Sequence, residues 1–298
     1  MADVAARSEP GAIEAPTAPL GARTCEVIGE STSGSYRLFT ARDASGPVPT
    51  AGQFYMLSAD RGWGGGRGRP YLPRAFSFAR ATQAGSSVEL SFLGEVVGPG
   101  TARLLEMKSG ELLRITGPLG RGFSLPSELN DSAAGAILVG GGIGVAPIAA
   151  FRDVLRERGA PVRTLLGFRG SGHQGGLELF SATGRRCPGV QLATEDGSQG
   201  HRGDVTELLA TMLDGDDASS ASVYACGPPA MLEAVRQICE SADVPAELAL
   251  ETPMACGFGA CMGCAVPLAS GGYMRLCVDG PVVNAADIET ALIPGSGH

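Results

Sequence analysis

No apolar run in the 298-residue chain approaches the ~18 residues that span a bilayer. A membrane-spanning helix is therefore not expected. The first 22 residues, MADVAARSEPGAIEAPTAPLGA, lack a basic segment followed by an apolar stretch of about 7–15 residues, which argues against a secretory signal. Rich in Ala, Pro and acidic residues and without periodicity, residues 1–22 are expected to be a disordered tail. Positive charge is in deficit: 23 Lys and Arg stand against 31 Asp and Glu, for a net charge of −8 and a pI near 5.0. Nucleic acid and anionic membrane are poor partners for such a surface. Histidine is scarce, with only His173, His201 and His298, so no Ser/His/Asp set can be assembled and no catalytic acid or base is named. The three are expected to be exposed to solvent. Without a leader, the expected location is cytoplasmic and reducing, where disulfides are disfavoured.

What the chain has instead is a cluster of cysteines near its C-terminus. Four of the eight, Cys256, Cys261, Cys264 and Cys277, follow C-x4-C-x2-C-x12-C. A four-residue and then a two-residue gap is the ligand spacing of a plant-type 2Fe-2S cluster, whose two irons need four thiolates. Gly257, Gly259 and Gly263 lie between them and can adopt positive φ or bring backbone amides close to sulfur. A zinc site usually pairs two C-x2-C knuckles; here only one pair is two apart, which leaves zinc a secondary alternative.

The length suits two or three domains. From Thr24 to about Pro118, six β-prone runs (TCEVIGE, YRLFTAR, QFYMLSA, RAFSFAR, SVELSFLG, ELLRITGP) are separated by Gly and Pro, with TARLLEMK as the helical interruption. This predicts a small antiparallel barrel over residues 23–124. From Ala136 the grammar becomes strand–helix alternation: AILVGG, VRTLLGF, VQLATE, SVYACG and ELALE alternate with PIAAFRDVLRERG, DVTELLATML and PAMLEAVRQICESA. That pattern predicts a parallel sheet with helices on both faces over residues 125–250, entered through the polar loop 125–135. Residues 251–298 are expected to form a third, small module carrying the cysteines. The fold class is thus β followed by α/β, with a C-terminal 2Fe-2S module.

Four further motifs carry chemistry. Strand alternation puts Arg74 and Phe76 on one face, with the arginine free to hold a phosphate and the ring to pack on a ligand, while Ser77 faces the other side or the edge. Gly98 and Gly100 lead into a helix with Thr101 as its expected cap, an arrangement that offers amides to an anion, although an ordinary capped turn reads the same way. Gly140, Gly141, Gly142 and Gly144 lie between an apolar strand and a helix, the context a nucleotide pyrophosphate requires, although the spacing departs from G-x-G-x-x-G. Cys226 and Gly227 end a strand at the position that faces the ligand crevice of open α/β sheets, where a nicotinamide ring would lie. A plain core cysteine fits that position equally well.

Taken in order, these motifs resemble the ferredoxin–NADP reductase superfamily over about residues 23–250: R-x-[YF]-[ST], a GxGT-like turn, GGG-x-G and C-G-P. With MACGFGACMGC, LCVDGPV and TEDGSQGHRGDVT (194–206) added, the chain resembles the electron-transfer subunits of class 1B dihydroorotate dehydrogenases. The resemblance implies that Arg74, Phe76 and Ser77 contact FAD, with Gly98, Gly100 and Thr101 at its phosphates. It implies that Gly141, Gly142 and Gly144 bind the NAD pyrophosphate, that Cys226 and Gly227 line the nicotinamide site, and that the cysteines at 256, 261, 264 and 277 hold the cluster. It further implies electron passage between a catalytic FMN-containing partner subunit, the cluster, FAD and NAD, in a heterotetramer serving pyrimidine biosynthesis. A reductase arm for another redox complex, of hydrogenase or sulfide type, shares the same fold. The insertion RGWGGGRGR before Arg74 and the N-terminal tail depart from the family pattern, and Arg169 leaves the choice between NAD and NADP open.

Overall fold

The computed structural model describes residues 21–129, 135–182, 185–186, 189–215 and 220–295. The expected tail up to residue 20, and His298, lie outside these. Six antiparallel strands, β1 (Arg23–Ser33), β2 (Tyr36–Asp43), β3 (Phe54–Ala59), β4 (Arg74–Ala84), β5 (Ser87–Gly94) and β6 (Leu112–Leu119), close a barrel in the order β1-β2-β5-β4-β3-β6. Alternation drives the burial: on β5, Val88, Leu90 and Phe92 point inward while Ser87, Glu89 and Ser91 are half-exposed. The aromatic rings meet inside, Phe92 lying 5.4 Å from Phe39 and, edge-on, 5.7 Å from Tyr55. Where β1, β2 and β6 meet, the Arg23 guanidinium binds Asp43 and the Gly117 carbonyl, each at 2.6 Å. A short helix, α1 (Pro99–Leu105), follows β5 where helical sequence was expected.

The second layer begins past a one-turn helix, α2 (Pro126–Leu129), inside the polar loop read as a linker. Then come β7 (Gly135–Gly141), α3 (Val145–Glu157), β8 (Val162–Phe168), a two-residue pair β9 (Ser181–Ala182) and β10 (Arg185–Arg186), β11 (Val190–Thr194), β12 (His201–Arg202), α4 (Val205–Leu213), β13 (Ala221–Cys226), α5 (Pro229–Ala242) and β14 (Ala246–Ala249). The cysteine segment adds β15 (Ala265–Pro267), β16 (Tyr273–Arg275) and β17 (Val282–Asn284). A seven-stranded sheet runs β12-β11-β8-β7-β13-β14-β17, parallel throughout except for the last pair. The five strands expected from the alternation are all present. Short strands at the two edges, β12 and β17, were not foreseen, because two or three residues carry no periodicity to read.

Helix α3 packs between the sheet and barrel strand β4, where Arg80 reaches Asp153 at 3.2 Å. Helices α4 and α5 cover the opposite face. The cysteine segment is not a separate bead: β17 pairs in register with β14 from Glu247–Asn284 to Ala249–Val282, and the Arg121 amide binds the Gly280 carbonyl. Its buried residues Cys264, Val266, Leu276 and Cys277 share one apolar cluster with Phe54, Met56 and Leu119 of the barrel and Leu248 of the sheet.

A second tie joins the far end of this segment to α5. The Glu233 carboxylate accepts from the Ala291 amide at 2.7 Å, Thr290 Oγ1 at 2.9 Å, Gln237 Nε2 at 2.8 Å and the Arg236 guanidinium at 2.9 Å. Chiefly through Arg236, and against the opposing effect of burial, these donors hold the Glu233 carboxyl at about 2. With a folded value near 2 and an unfolded one near 4.5, the unfolded chain takes up the proton first, so this contribution is complete above about pH 4.5 and is lost as pH falls toward 2. Glu233→Gln should lower the unfolding midpoint by about 5 °C at neutral pH. The gap to the native chain, followed by circular dichroism, should close on acidification; a gap independent of pH would rule out the ionic tie.

Candidate functional site

A cleft of about 600 Å³ opens where the barrel, the sheet and the cysteine segment meet. Its wall is formed by Arg74, Phe76 and Ser77 of β4, Gly98 and Thr101 at the start of α1, Gly144 and Pro147 at the start of α3, Cys226 at the end of β13, and Glu251–Met254. The structure therefore brings motifs more than a hundred residues apart to one place.

The barrel side is more constrained than alternation alone suggests. Phe76 is 8% exposed and lies edge-on to Phe92 at 6.5 Å, so it is chiefly a core ring with one edge in the cleft. Arg74 remains half-exposed, donating to the Leu72 carbonyl at 2.6 Å. Thr101 is not the cap expected of it. It is the third residue of α1, Gly98 occupying the cap position, and its hydroxyl accepts from the amides of Val97 at 2.9 Å and Gly98 at 3.1 Å. Those two amides are thus occupied, while Gly100 and Thr101, in the first turn, have amides with no intrahelical acceptor. Gly100 itself is buried against Arg74 rather than lining the cleft, and a Cβ there would stand 2.5 Å from Arg74 Nε.

At the nucleotide turn the glycines divide by role. A Cβ on Gly144 would overlap the Cys226 carbonyl oxygen, and one on Gly141 would meet Met231 Sδ at 2.5 Å. A Cβ on Gly227 would lie 3.0 Å from Gly141 Cα. Gly144 and Gly227 let the ends of β7 and β13 touch, and Gly141 lets the start of α5 approach. Gly142 differs: it takes φ +53° beside open space, the nearest atom to a would-be Cβ being Tyr36 Oη at 3.7 Å. Helix α3 then presents its N-terminus with no acidic residue in the first turn, a setting suited to an anion. Arg169, exposed at the end of β8, lies close enough to Tyr36 to act on it electrostatically. Cys226 is buried, and burial followed by the nearby Glu251 carboxylate raises its thiol well above the ordinary value. It is a neutral thiol and no nucleophile. Glu251 escaped notice in the sequence although the same rule finds it: it follows β14, the parallel neighbour of β13, with Cys226 registered opposite Ala249.

The four thiols follow Glu251–Met254 in sequence and form two pairs. Cys264 and Cys277 are buried with their sulfurs 3.2 Å apart; Cys256 is half-buried beside Cys261, which is exposed. Burial opposes ionisation at Cys256, but the amides of Cys261, Phe258 and Ala260 and the Cys261 thiol outweigh it and bring the group to about 6. At Cys277, burial and then the Cys264 thiol push the value up to about 12. Among the described residues no three His, Cys, Asp or Glu side chains are grouped as for a single metal ion. Thiols in two neighbouring pairs, with amides aimed at sulfur, fit a two-iron cluster ligated by four cysteines. The loop owes its path to φ of +79° at Gly257 and +85° at Gly259, while Gly263 lies close to the Cys261 sulfur and Met262 takes a left-handed φ of +58°. Of the histidines, His173 is exposed as expected, and His201 is half-exposed with Nε2 2.8 Å from Glu207.

Comparison with known proteins agrees with this geometry. Residues 251–289 match the family described as the iron-sulfur cluster binding domain of dihydroorotate dehydrogenase B, and residues 138–237 match the oxidoreductase NAD-binding domain. A structure from work on electron bifurcation by an NADH-dependent reduced ferredoxin-NADP oxidoreductase superposes with a TM-score of 0.72 at 22% identity, covering 89% of this chain and 90% of the other. A ferredoxin NADP+ reductase from Neisseria gonorrhoeae gives 0.56 at 20% identity over 74% and 91%. Both likenesses are of fold. Among sequences, the dihydroorotate dehydrogenase B (NAD(+)) electron transfer subunit of Caldanaerobacter subterraneus subsp. tengcongensis is 34% identical over 246 residues, 82% of this chain and 88% of the relative. That of Clostridium perfringens is 32% identical over 260 residues, 87% and 94%. With the cysteine loop, the nucleotide turn and most of the chain's length in common, the protein belongs to the family of electron transfer subunits of NAD(+)-dependent dihydroorotate dehydrogenase B.

Proposed function

We propose that this chain passes electrons from dihydroorotate oxidation on a catalytic, FMN-containing partner to NAD, by way of a 2Fe-2S cluster and FAD, in a cytoplasmic heterotetramer. The observation that carries this reading is continuity: Glu251–Met254 line the cleft, and Cys256 follows two residues later, within at most about 7 Å of chain. An electron carrier on the thiols and a flavin in the cleft are then neighbours without any domain movement. FAD supplies the conversion between two-electron hydride chemistry and the single electrons of a cluster.

The chain's own residues bind, orient and shield. Arg74 and the first-turn amides of α1 suit the flavin pyrophosphate, and Ser77 and Phe76 suit the ring system. Gly142 and the start of α3 suit the NAD pyrophosphate, while Gly141, Gly144 and Gly227 keep the floor thin enough for a nicotinamide beside the neutral thiol of Cys226. Cys256 and Cys261 would hold one iron, with Cys264 and Cys277 holding the other. Phe258 and Met262, 50% and 54% exposed beside the exposed Cys261, support docking of the partner over this loop. The domain boundaries 23–124, 125–250 and 251–298 follow these roles.

The deciding experiment is dihydroorotate-dependent NAD reduction by the protein purified from its host together with what co-purifies. Activity that requires a co-purifying FMN protein is the expected result. A yellow-brown preparation that oxidises NADH but ignores dihydroorotate and orotate would remove the partner assignment while leaving the cofactors in place. Cys261→Ser should abolish the cluster's visible absorbance and coupled activity yet leave reduction of FAD by NADH within about twofold; full coupled activity in that variant would reject the ligand set. Gly144→Ala, by overpacking two strand ends, should destabilise by about 2 kcal/mol and raise KM for NADH, whereas Gly142→Ala, in open space, should cost only about 1 kcal/mol through its backbone angle. Thermal unfolding and steady-state kinetics of the pair would test that ranking.

A further inference from the structure

The family resemblance leaves the insertion before Arg74 unexplained. In the structure, residues 61–73 form a closed loop beside the cleft: the Gly64 amide binds the Pro70 carbonyl at 2.7 Å, and Trp63 Nε1 donates to the Tyr71 carbonyl at 3.2 Å. Arg103 of α1 pins its base, Nε donating to the Arg61 carbonyl at 3.0 Å. The turns need glycine, with φ of +78° at Gly62, +69° at Gly64, +71° at Gly65 and +79° at Gly68. At the centre is Trp63, the only tryptophan of the chain, half-buried against the barrel core.

Its ring lies 5.8 Å from the Arg74 guanidinium. The same guanidinium donates to the Leu72 carbonyl at 2.6 Å and packs on Gly100, where no Cβ would fit. Arg74 is thus held on three sides, by the ring, by the loop backbone and by α1, and it faces the cleft. Among the described residues no carboxylate pairs with it. A cation fixed by an aromatic face, a carbonyl and a helix, but left without a counter-charge, is pre-organised for an anion.

We propose that Trp63 is a positioning residue: the inserted loop exists to hold Arg74 in place for the pyrophosphate of FAD, an inference that rests on the flavin reading above. Arginine has several rotatable bonds, and fixing them before the ligand arrives removes an entropic cost of binding. The side chains of Arg61, Arg67 and Arg69 are exposed.

The test is a double-mutant cycle on FAD affinity, measured by equilibrium dialysis with the full chain, cluster retained and flavin removed. Arg74→Ala should weaken FAD binding on the order of tenfold to a hundredfold. Trp63→Ala should weaken it about threefold to tenfold in the native background, Trp63→Phe should recover most of the loss, and Trp63→Ala should have no effect once Arg74 is gone. Equal losses in both backgrounds would mean that Trp63 contacts the flavin or merely supports the fold, and would overturn the proposal, as would unchanged affinity in Trp63→Ala. A native chain that binds no FAD would instead bring down the flavin reading itself.

Discussion

Two strands end side by side with no room for a side chain between them, and the cleft exists because of that contact. Gly144 lies on the Cys226 carbonyl and Gly227 on the backbone of Gly141, so the floor of the crevice is bare main chain. Larger residues would separate the strand ends or fill the space above them. Everything that converges there, β4 from the barrel, the start of α3 and the segment after β14, is aligned by this thin floor. Burial, followed by the nearby Glu251 carboxylate, also keeps Cys226 protonated.

Around the cleft, charge is managed in two opposite ways. Among the described residues Arg74 is a cation with no carboxylate paired to it, whereas in the cysteine loop burial and the Cys264 thiol oppose ionisation of Cys277 while backbone amides favour it at Cys256. On the function proposed above, a phosphate would answer the first and iron the second. The same logic explains why the cysteine loop is built around Gly257 and Gly259, whose backbone angles turn N–H groups toward sulfur.

Much of this was legible in the sequence because it rests on spacing. The six barrel strands, the five central parallel strands and the three long helices follow hydrophobic periodicity, and the four cysteines announce themselves by their intervals. What escaped depends on distances between elements. Nothing in the string shows that Phe76 would turn into an aromatic core, that the Thr101 hydroxyl would accept from the amides of Val97 and Gly98 instead of capping the helix, or that Met262 would take a left-handed angle. Glu251 differs, since its position just past the end of a parallel strand is readable by rule. Trp63 could not be read at all, since its meaning lies in an arginine eleven residues away across a glycine-rich loop.

The antiparallel strand β17 changes what kind of object the cysteine segment is. Had it been joined by a linker alone, it could be detached, exchanged or appended elsewhere as a unit. Because β17 completes the sheet edge at β14 and Glu233 fastens the far end, removing residues beyond 250 would leave an unpaired hydrophobic edge of the sticky kind that recruits other chains. Evolution and the engineer alike would have to replace that edge before moving the cluster, so the electron carrier and the nucleotide sheet are inherited together.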